Sequence, residues 1–246
     1  MDRSKKEVKI LGIIPARGGS RGIPWKNIAP FSGKPLIYYT IKTAKKSRLL
    51  DAVIVSTDDP RIARIARSLG VDVPFLRPKR FARHTSPDTE FLKHALGWLE
   101  KHRGWRPDIV VNLRPTAPLR TAEDIDSVLA LMQETGCDSV RTVSPPNPYN
   151  PFKMWTFIAG GRGIMKPLLP TAHYRTHGTD VPRQLLPEVH WQNGLVDATR
   201  AKFIRRGVVY GPDIRGVITD PRKAVDLDEP KDLKRAEIIM RELNLL

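Results

Sequence analysis

Four polar segments of this chain combine residue types that hold phosphates, carboxylates or metal ions. In Pro15–Asn27, Gly18, Gly19 and Gly22 are interspersed with Arg17, Ser20, Arg21 and Lys26. Glycines let backbone N–H groups turn toward an anion, and the three cations add formal charge, so the segment reads as a phosphate cradle. Its spacing is neither the Walker pattern nor GxGxxG, which sets both assignments aside. An ordinary glycine turn with exposed basic residues is the alternative. The second segment is Ser56–Asp59, where Asp59 already has work as a helix cap. The third, Leu113–Arg120, places Arg114 and Arg120 around a proline-stiffened loop that suits a carboxylate or phosphate, or else serves as a rigid strand-to-helix connector.

The fourth segment is Ala224–Glu229. In a strand, residues two apart share a face, so Asp226 and Asp228 would point the same way. Paired carboxylates suit Mg2+, which bridges substrate phosphates. The competing reading has Asp228 capping a helix that begins at Pro230. His173 and His177 are four apart, but Thr176, Gly178 and nearby prolines argue against the helix that would align them on a metal. Cys137 reads as a small core residue.

Elements of the right kind precede these segments. Val8–Ile14 is a β-branched run ending at Pro15, and Ala52–Ser56, Val71–Leu76, Asp108–Leu113 and Asp138–Val143 read as further strands. Between them, Leu36–Ser47, a segment from Pro60 to Gly70, Asp88–His102 and a segment opening at Thr121 carry helical apolar spacing. Asp59 caps the second helix, and Thr121 with Asp124 forms the capping box of the fourth. A last helix runs from about Pro230 to Leu243. The order predicts an α/β chain with an open, mostly parallel sheet and helices on both faces. Ligands in such sheets bind at the carboxyl ends of the strands, where the four segments lie. From Ser144 to His190, eight prolines and the glycines at 160, 161 and 163 interrupt this pattern. The stretch reads as a functional excursion or an assembly arm inserted in a single domain spanning residues 1–246, with regular structure resuming near Val208.

The 246 residues carry 42 Lys+Arg against 26 Asp+Glu, a formal charge of +16, with 40% hydrophobic and 7% aromatic side chains. This is too apolar for a disordered chain. One cysteine excludes a disulfide framework. No apolar run approaches the length of a membrane span. The short apolar run behind the basic N-terminus opens into Arg17 and glycines rather than a cleavage site. The expectation is a soluble, cytoplasmic protein with no membrane partner. The charge favours anionic partners or serves general solubility. Because cations are spread along the whole chain and no nucleic-acid motif is recognisable, nucleic acid is not the expected partner.

Taken together, the motifs resemble the sugar-acid cytidylyltransferases, specifically the CMP-sialic acid (acylneuraminate) synthetase type. IIPARGGSRGIPWKNI at Ile13–Ile28 is similar to that family's nucleotide loop nearly residue for residue. GKPLI at Gly33–Ile37, VSTDD at Val55–Asp59, RP at Arg77–Pro78, LRPTAPLR at Leu113–Arg120, QNG at Gln192–Gly194 and VDLD at Val225–Asp228 follow in the family's order. The resemblance implies a nucleotide-diphospho-sugar transferase-like fold and a reaction in which a sugar acid's anomeric hydroxyl attacks the α-phosphate of CTP, releasing pyrophosphate. It implies that Arg17 and Lys26 hold the triphosphate and that Ala16, Gly18, Gly19 and Ser20 line it. Asn27 and Arg77 then place the nucleoside, and Asp226 and Asp228 hold Mg2+. Arg114, Thr116 and Asn193 would face the sugar acid. The excursion resembles the arm through which family members form homodimers, bringing Arg183 and Gln184 to the partner's site.

The chain also departs from the family pattern. Arg114 stands where the family loop has glutamine, and His84 where an aspartate is common. Leu195–Ala198 replaces a small-residue and aromatic strand after QNG. Arginine's rigid fork suits a carboxylate. A nine-carbon (nonulosonic) acid is the expected substrate. Two alternatives stand beside it. One is a cytidylyltransferase for an eight-carbon or other sugar acid, against which the opening loop lacks that group's tyrosine. The other is a non-catalytic nucleotide- or nucleic-acid-binding protein, against which the Asp226/Asp228 pair speaks.

Overall fold

A computed structural model describes residues 8–20, 22–146, 149–172, 180–225 and 227–245. Its centre is a six-stranded sheet of β1 (Ile10–Pro15), β4 (Ala52–Ser56), β5 (Ile109–Asn112), β6 (Ser139–Ser144), β9 (Trp191–Arg200) and β10 (Ile214–Ile218). The strand order is β10-β6-β9-β5-β1-β4, parallel throughout except for β9, which runs antiparallel to both neighbours. Two short hairpins stand apart: β2 (Pro30–Phe31) with β3 (Lys34–Pro35), and β7 (Trp155–Phe157) with β8 (Met165–Pro167).

Alternation along the strands sends side chains to two cores. Ile10, Ile14, Ile109 and Val111 pack against α1 (Leu36–Lys46), α2 (Pro60–Ser68) and α4 (Ala122–Thr135). Leu11, Ile13 and Val110 face the other way, onto α3 (Asp88–Arg103) and the short α5 (Ala201–Arg205). Helices therefore cover both faces, as the sequence pattern predicts. The last helix, α6 (Pro230–Glu242), packs Ala236 and Met240 on Phe31, Leu36 and Leu227, which draws the 227–228 segment back toward the N-terminal loop. Helix starts follow local chemistry. Asp59 accepts hydrogen bonds from the N–H groups of Arg61 and Ile62, and Thr121 and Asp124 form the capping box.

Two expectations need correction. Val71–Leu76 is no strand; it touches the sheet edge only through the bridges Ile54–Asp72 and Thr57–Leu76, because Pro74 has no N–H to extend a ladder. Regular structure resumes at Trp191 rather than near Val208, since β9 lies between β5 and β6. Its polar residues hide it: Asp197 and Thr199 are buried on the strand and satisfied by partners distant in sequence. The stretch between Ser144 and His190, where described, holds the β7–β8 hairpin and three-residue 3-10 turns at Pro151–Lys153 and Arg183–Leu185. It exposes large apolar side chains, among them Tyr149 at 75% and Phe157 at 71%.

Candidate active site

The carboxyl ends of β1 and β5 open into one cleft of about 390 Å3, lined by the loops that follow those two strands, by residues between Arg77 and Phe91, and by Asp228 before α6. Of the residues singled out in the sequence, Arg17, Ser20, Lys26, Asn27, Arg77, Arg114, Thr116 and Asp228 line it together. Ala16 is buried behind the cleft, with its N–H donating to the Ser56 carbonyl at 2.9 Å. Asp226 and Arg21 lie outside the described residues, as do His173 and His177.

The glycine turn is fixed from three sides. Gly18 N–H donates to Asp58 Oδ1 at 2.9 Å, so this amide is engaged by protein. Nothing lies within 4 Å of the position a side chain would take on Gly19. Asn27, 6% exposed, donates from Nδ2 to the Arg17 carbonyl at 2.9 Å and ties the two ends of the turn together. Gly22 meets the 227–228 segment: a Cβ there would sit 2.0 Å from the Asp228 carbonyl oxygen. Only glycine permits that approach. Trp25 adopts a left-handed backbone (φ 55°), and the Arg61 guanidinium lies 3.4 Å from its ring centroid. The 3-10 turn Lys26–Ile28 that follows aims Lys26 at the same segment, where Nζ donates to the Leu227 carbonyl and lies 3.1 Å from Asp228 Oδ1.

Asp228 is not the helix cap. Glu229 occupies that position, with its N–H donating to Asp232 Oδ2 at 2.7 Å, which leaves the Asp228 carboxylate on the cleft rim. Arg77 is buried; its Nε donates to Ser56 Oγ at 3.1 Å and its guanidinium lies 4.6 Å from the Phe91 ring centroid. Burial pushes its pKa down to about 10, opposed by Asp58 and Asp88, so it is charged at neutral pH. Arg114 donates to Asp197 Oδ2 at 2.5 Å from one arm of its fork and to Asp88 Oδ2 from the other. Burial alone would lower its pKa, but Asp197 and Asp88 outweigh this and raise it.

Arg183 and Gln184 sit on the exposed 3-10 turn at Arg183–Leu185 and do not line the cleft. Neither does Asn193, whose Nδ2 donates to Ser144 Oγ and Thr219 Oγ1, both at 2.7 Å, knitting β9 to β6 and the end of β10. Residues that the sequence reading passed over also line the cleft: Phe81, Arg83, Asp88 and Phe91. The basic run Lys79, Arg80, Arg83 just after Arg77–Pro78 was the available signal for Arg83.

Among the described lining residues, Arg17, Lys26, Arg77, Arg83 and Arg114 face only Asp88 and Asp228. Five cations against two carboxylates suit a polyanion entering beside a glycine turn. Among the described residues no three His, Cys, Asp or Glu side chains gather as an all-protein metal site. A hard cation held by one or two carboxylates plus substrate phosphates does not require such a group. The oxygen donor of Asp228, placed on the rim of a cationic cleft, fits that mode.

The family model described as cytidylyltransferase matches residues 11–148, just over half of the chain. The chain is 29% identical to the post-translational flagellin modification protein B of Campylobacter coli over 96% of its own length and 97% of that protein. It is 27% identical to the N-acylneuraminate cytidylyltransferase of Escherichia coli, covering 96% of this chain and 53% of that one. With the CMP-N,N'-diacetyllegionaminic acid synthase of Legionella pneumophila, identity is 38% over 56% of this chain and 59% of the other. The chain thus spans about half the length of the Escherichia coli relative, whereas the match to the Legionella protein covers only part of each chain. A solved structure of a CMP:2-keto-3-deoxy-manno-octonic acid synthetase complexed with CTP shares the fold, with a TM-score of 0.69 at 16% identity, covering 96% of this chain and 99% of that one.

Proposed function

The chain belongs to the cytidylyltransferase family, and from that premise we propose that it transfers CMP from CTP to the anomeric hydroxyl of a nonulosonic, sialic-type acid, with release of pyrophosphate. The observation that carries this reading is the cleft at the glycine turn, where five cationic side chains surround space for a triphosphate against two carboxylates. The names of the N-acylneuraminate and legionaminic acid relatives support a nine-carbon acid as the acceptor.

In this reaction the hydroxyl oxygen of the sugar acid forms a bond to the α-phosphorus of CTP. The bond from that phosphorus to the bridging oxygen of the β-phosphate breaks, pyrophosphate leaves with the electron pair, and the hydroxyl proton passes to solvent. Little covalent chemistry falls to the protein, so positioning and charge neutralisation carry the catalysis. Arg17 and Lys26 hold the triphosphate, and the open Gly19 side of the turn, with Ser20 beside it, lies against it. Asn27 keeps the turn closed through the Arg17 carbonyl. Arg77, charged and fixed on Ser56, presents its remaining face to the nucleotide. Asp228, with Asp226, would hold Mg2+ against the phosphates, and a bound Mg2+ supplies Lewis-acid neutralisation of the charge that builds on the leaving pyrophosphate. The exposed apolar surface around Tyr149 and Phe157 supports a homodimer formed through the 144–190 arm, with Arg183 and Gln184 serving the partner's site.

The test is pyrophosphate release from CTP in the presence of a panel of eight- and nine-carbon sugar acids. Release with a nine-carbon acid, abolished by EDTA and restored by added Mg2+, is the expected result. No release with any acid, or release that survives chelation, overturns it.

A further inference from the structure

A second cavity, of about 280 Å3, adjoins the nucleotide cleft and shares Asp88 and Arg114 with it. Its floor is a closed set of charges. The Asp197 carboxylate, whose side chain is 1% exposed, lies 2.5 Å from Arg114 Nη1 and 3.3 Å from Arg141 Nη1, and accepts from Gln192 Nε2 at 3.0 Å. Asp88 accepts from the other arm of Arg114. Two arginines and two aspartates cancel, so this floor has no net charge with which to hold an anion. Arg114 and Asp197 belong to two of the three departures from the resembled family, and their contact links those two.

One polar atom of this cavity is left over. Asn112, at the end of β5, is 5% exposed, and its Nδ2 donates to Asp88 Oδ2 at 2.9 Å. That contact fixes the orientation of the amide, because the flipped form would set an oxygen against a carboxylate. Oδ1 is then a buried acceptor with no partner. A buried acceptor without a donor is unfavourable, so a bound group that brings one would be favoured here. The walls beside it, Leu92, Ile204 and Tyr210 among them, are carbon-rich and suit the body of a sugar.

Resting on the cytidylyl-transfer reading, we propose that this cavity seats the neutral part of the sugar acid, with Asn112 Oδ1 accepting a hydrogen bond from one of its hydroxyl or amide N–H groups. Asn112 is thereby a residue that sets substrate specificity. The geometry also orients the acid: its carboxylate points to the cationic nucleotide cleft, and its uncharged donors enter the charge-balanced cavity. Arg114 acts through Asp88 and Asp197 as a positioning residue for this floor.

The experiment compares the parent and Asn112→Leu with N-acetylneuraminic acid and with its 5-hydroxy counterpart, measuring KM for each acid and for CTP. Loss of a buried acceptor of this kind is expected to raise the KM of the better acid at least about tenfold. The KM for CTP should stay within twofold, whereas a merely structural role would move both constants. The acid preferred by the parent identifies the donor as hydroxyl or amide. Titration calorimetry of the same acids without CTP separates the two claims. Binding that depends on Asn112 in a protein that releases no pyrophosphate upholds the cavity and overturns the reaction. Turnover with an unchanged acid KM in Asn112→Leu overturns the cavity and leaves the reaction standing, and absence of binding by either acid also overturns the cavity. If Asn112→Leu does not fold, a crystal structure of the parent with the bound acid decides: donors within hydrogen-bond distance of Asn112 Oδ1 uphold the inference, and donors elsewhere overturn it.

Discussion

Replacing Lys26 with alanine should lower turnover at saturating CTP and Mg2+ by about 100- to 1,000-fold, the range found when one preorganised group that stabilises transition-state charge is removed. The Lys26 side chain is only 12% exposed, and its position is dictated from two directions. The 3-10 turn after the left-handed Trp25 aims it into the cleft, and the Leu227 carbonyl and Asp228 carboxylate receive it. Without substrate, Lys26 is therefore held by protein partners at the mouth of the proposed phosphate cradle. It also links the glycine turn to the 227–228 segment, so its loss both weakens charge neutralisation and loosens Asp228. Lys26→Arg keeps the charge with a different shape and should recover part of the rate. Turnover of Lys26→Ala equal to the parent would remove the residue from the mechanism.

Gly22→Ala should cost about as much as a catalytic substitution while leaving the fold intact. An added Cβ would lie 2.0 Å from the Asp228 carbonyl oxygen, and backbone on both sides leaves no flexible side chain to yield. The turn and the 227–228 segment must separate by roughly 1 Å, a misplacement that typically lowers rates about 100-fold. Circular dichroism should change little, since neither segment belongs to a helix or strand, and thermal unfolding should fall only modestly, because Leu227 anchors the second segment under the last helix. Gly97→Ala, in the middle of α3 with nothing within 4 Å of the added carbon, is the control and should retain parental activity. Parental kcat/KM in Gly22→Ala would mean that the close approach of the two segments is irrelevant to catalysis.

How much was legible in the sequence depended on how local the determining physics was. Ala52–Ser56 as a strand, Asp59 as a cap and Thr121 with Asp124 as a capping box follow from neighbours a few residues apart, and all three stand in the structure. The joint position of Arg17, Lys26, Arg114 and Asp228 in one cleft followed from the rule that loops at strand carboxyl ends converge. What escaped was set by distant partners. β9 carries Asp197 and Thr199 on a buried strand, which is tolerable only because Arg114, in the loop after β5, and Arg141, on β6, approach Asp197. No periodicity marks such a strand. In the same way, Arg114 looked like a free reader of carboxylates, and only the fold reveals that both arms of its fork are already engaged. Asn112 was hidden inside an apolar run, where its orphaned oxygen could not be inferred without knowing that Asp88 takes its N–H.

The central claim is that the cleft between the glycine turn and Asp228 receives the triphosphate of CTP. A crystal structure of the protein with CTP and Mg2+ tests it most directly. The expected result places phosphate oxygens within about 3 Å of Arg17 and of Lys26 Nζ, with the metal bound between the phosphates and Asp228. A nucleotide seated elsewhere on the molecule, with Lys26 still paired to Asp228 and the cleft filled by solvent, would contradict it.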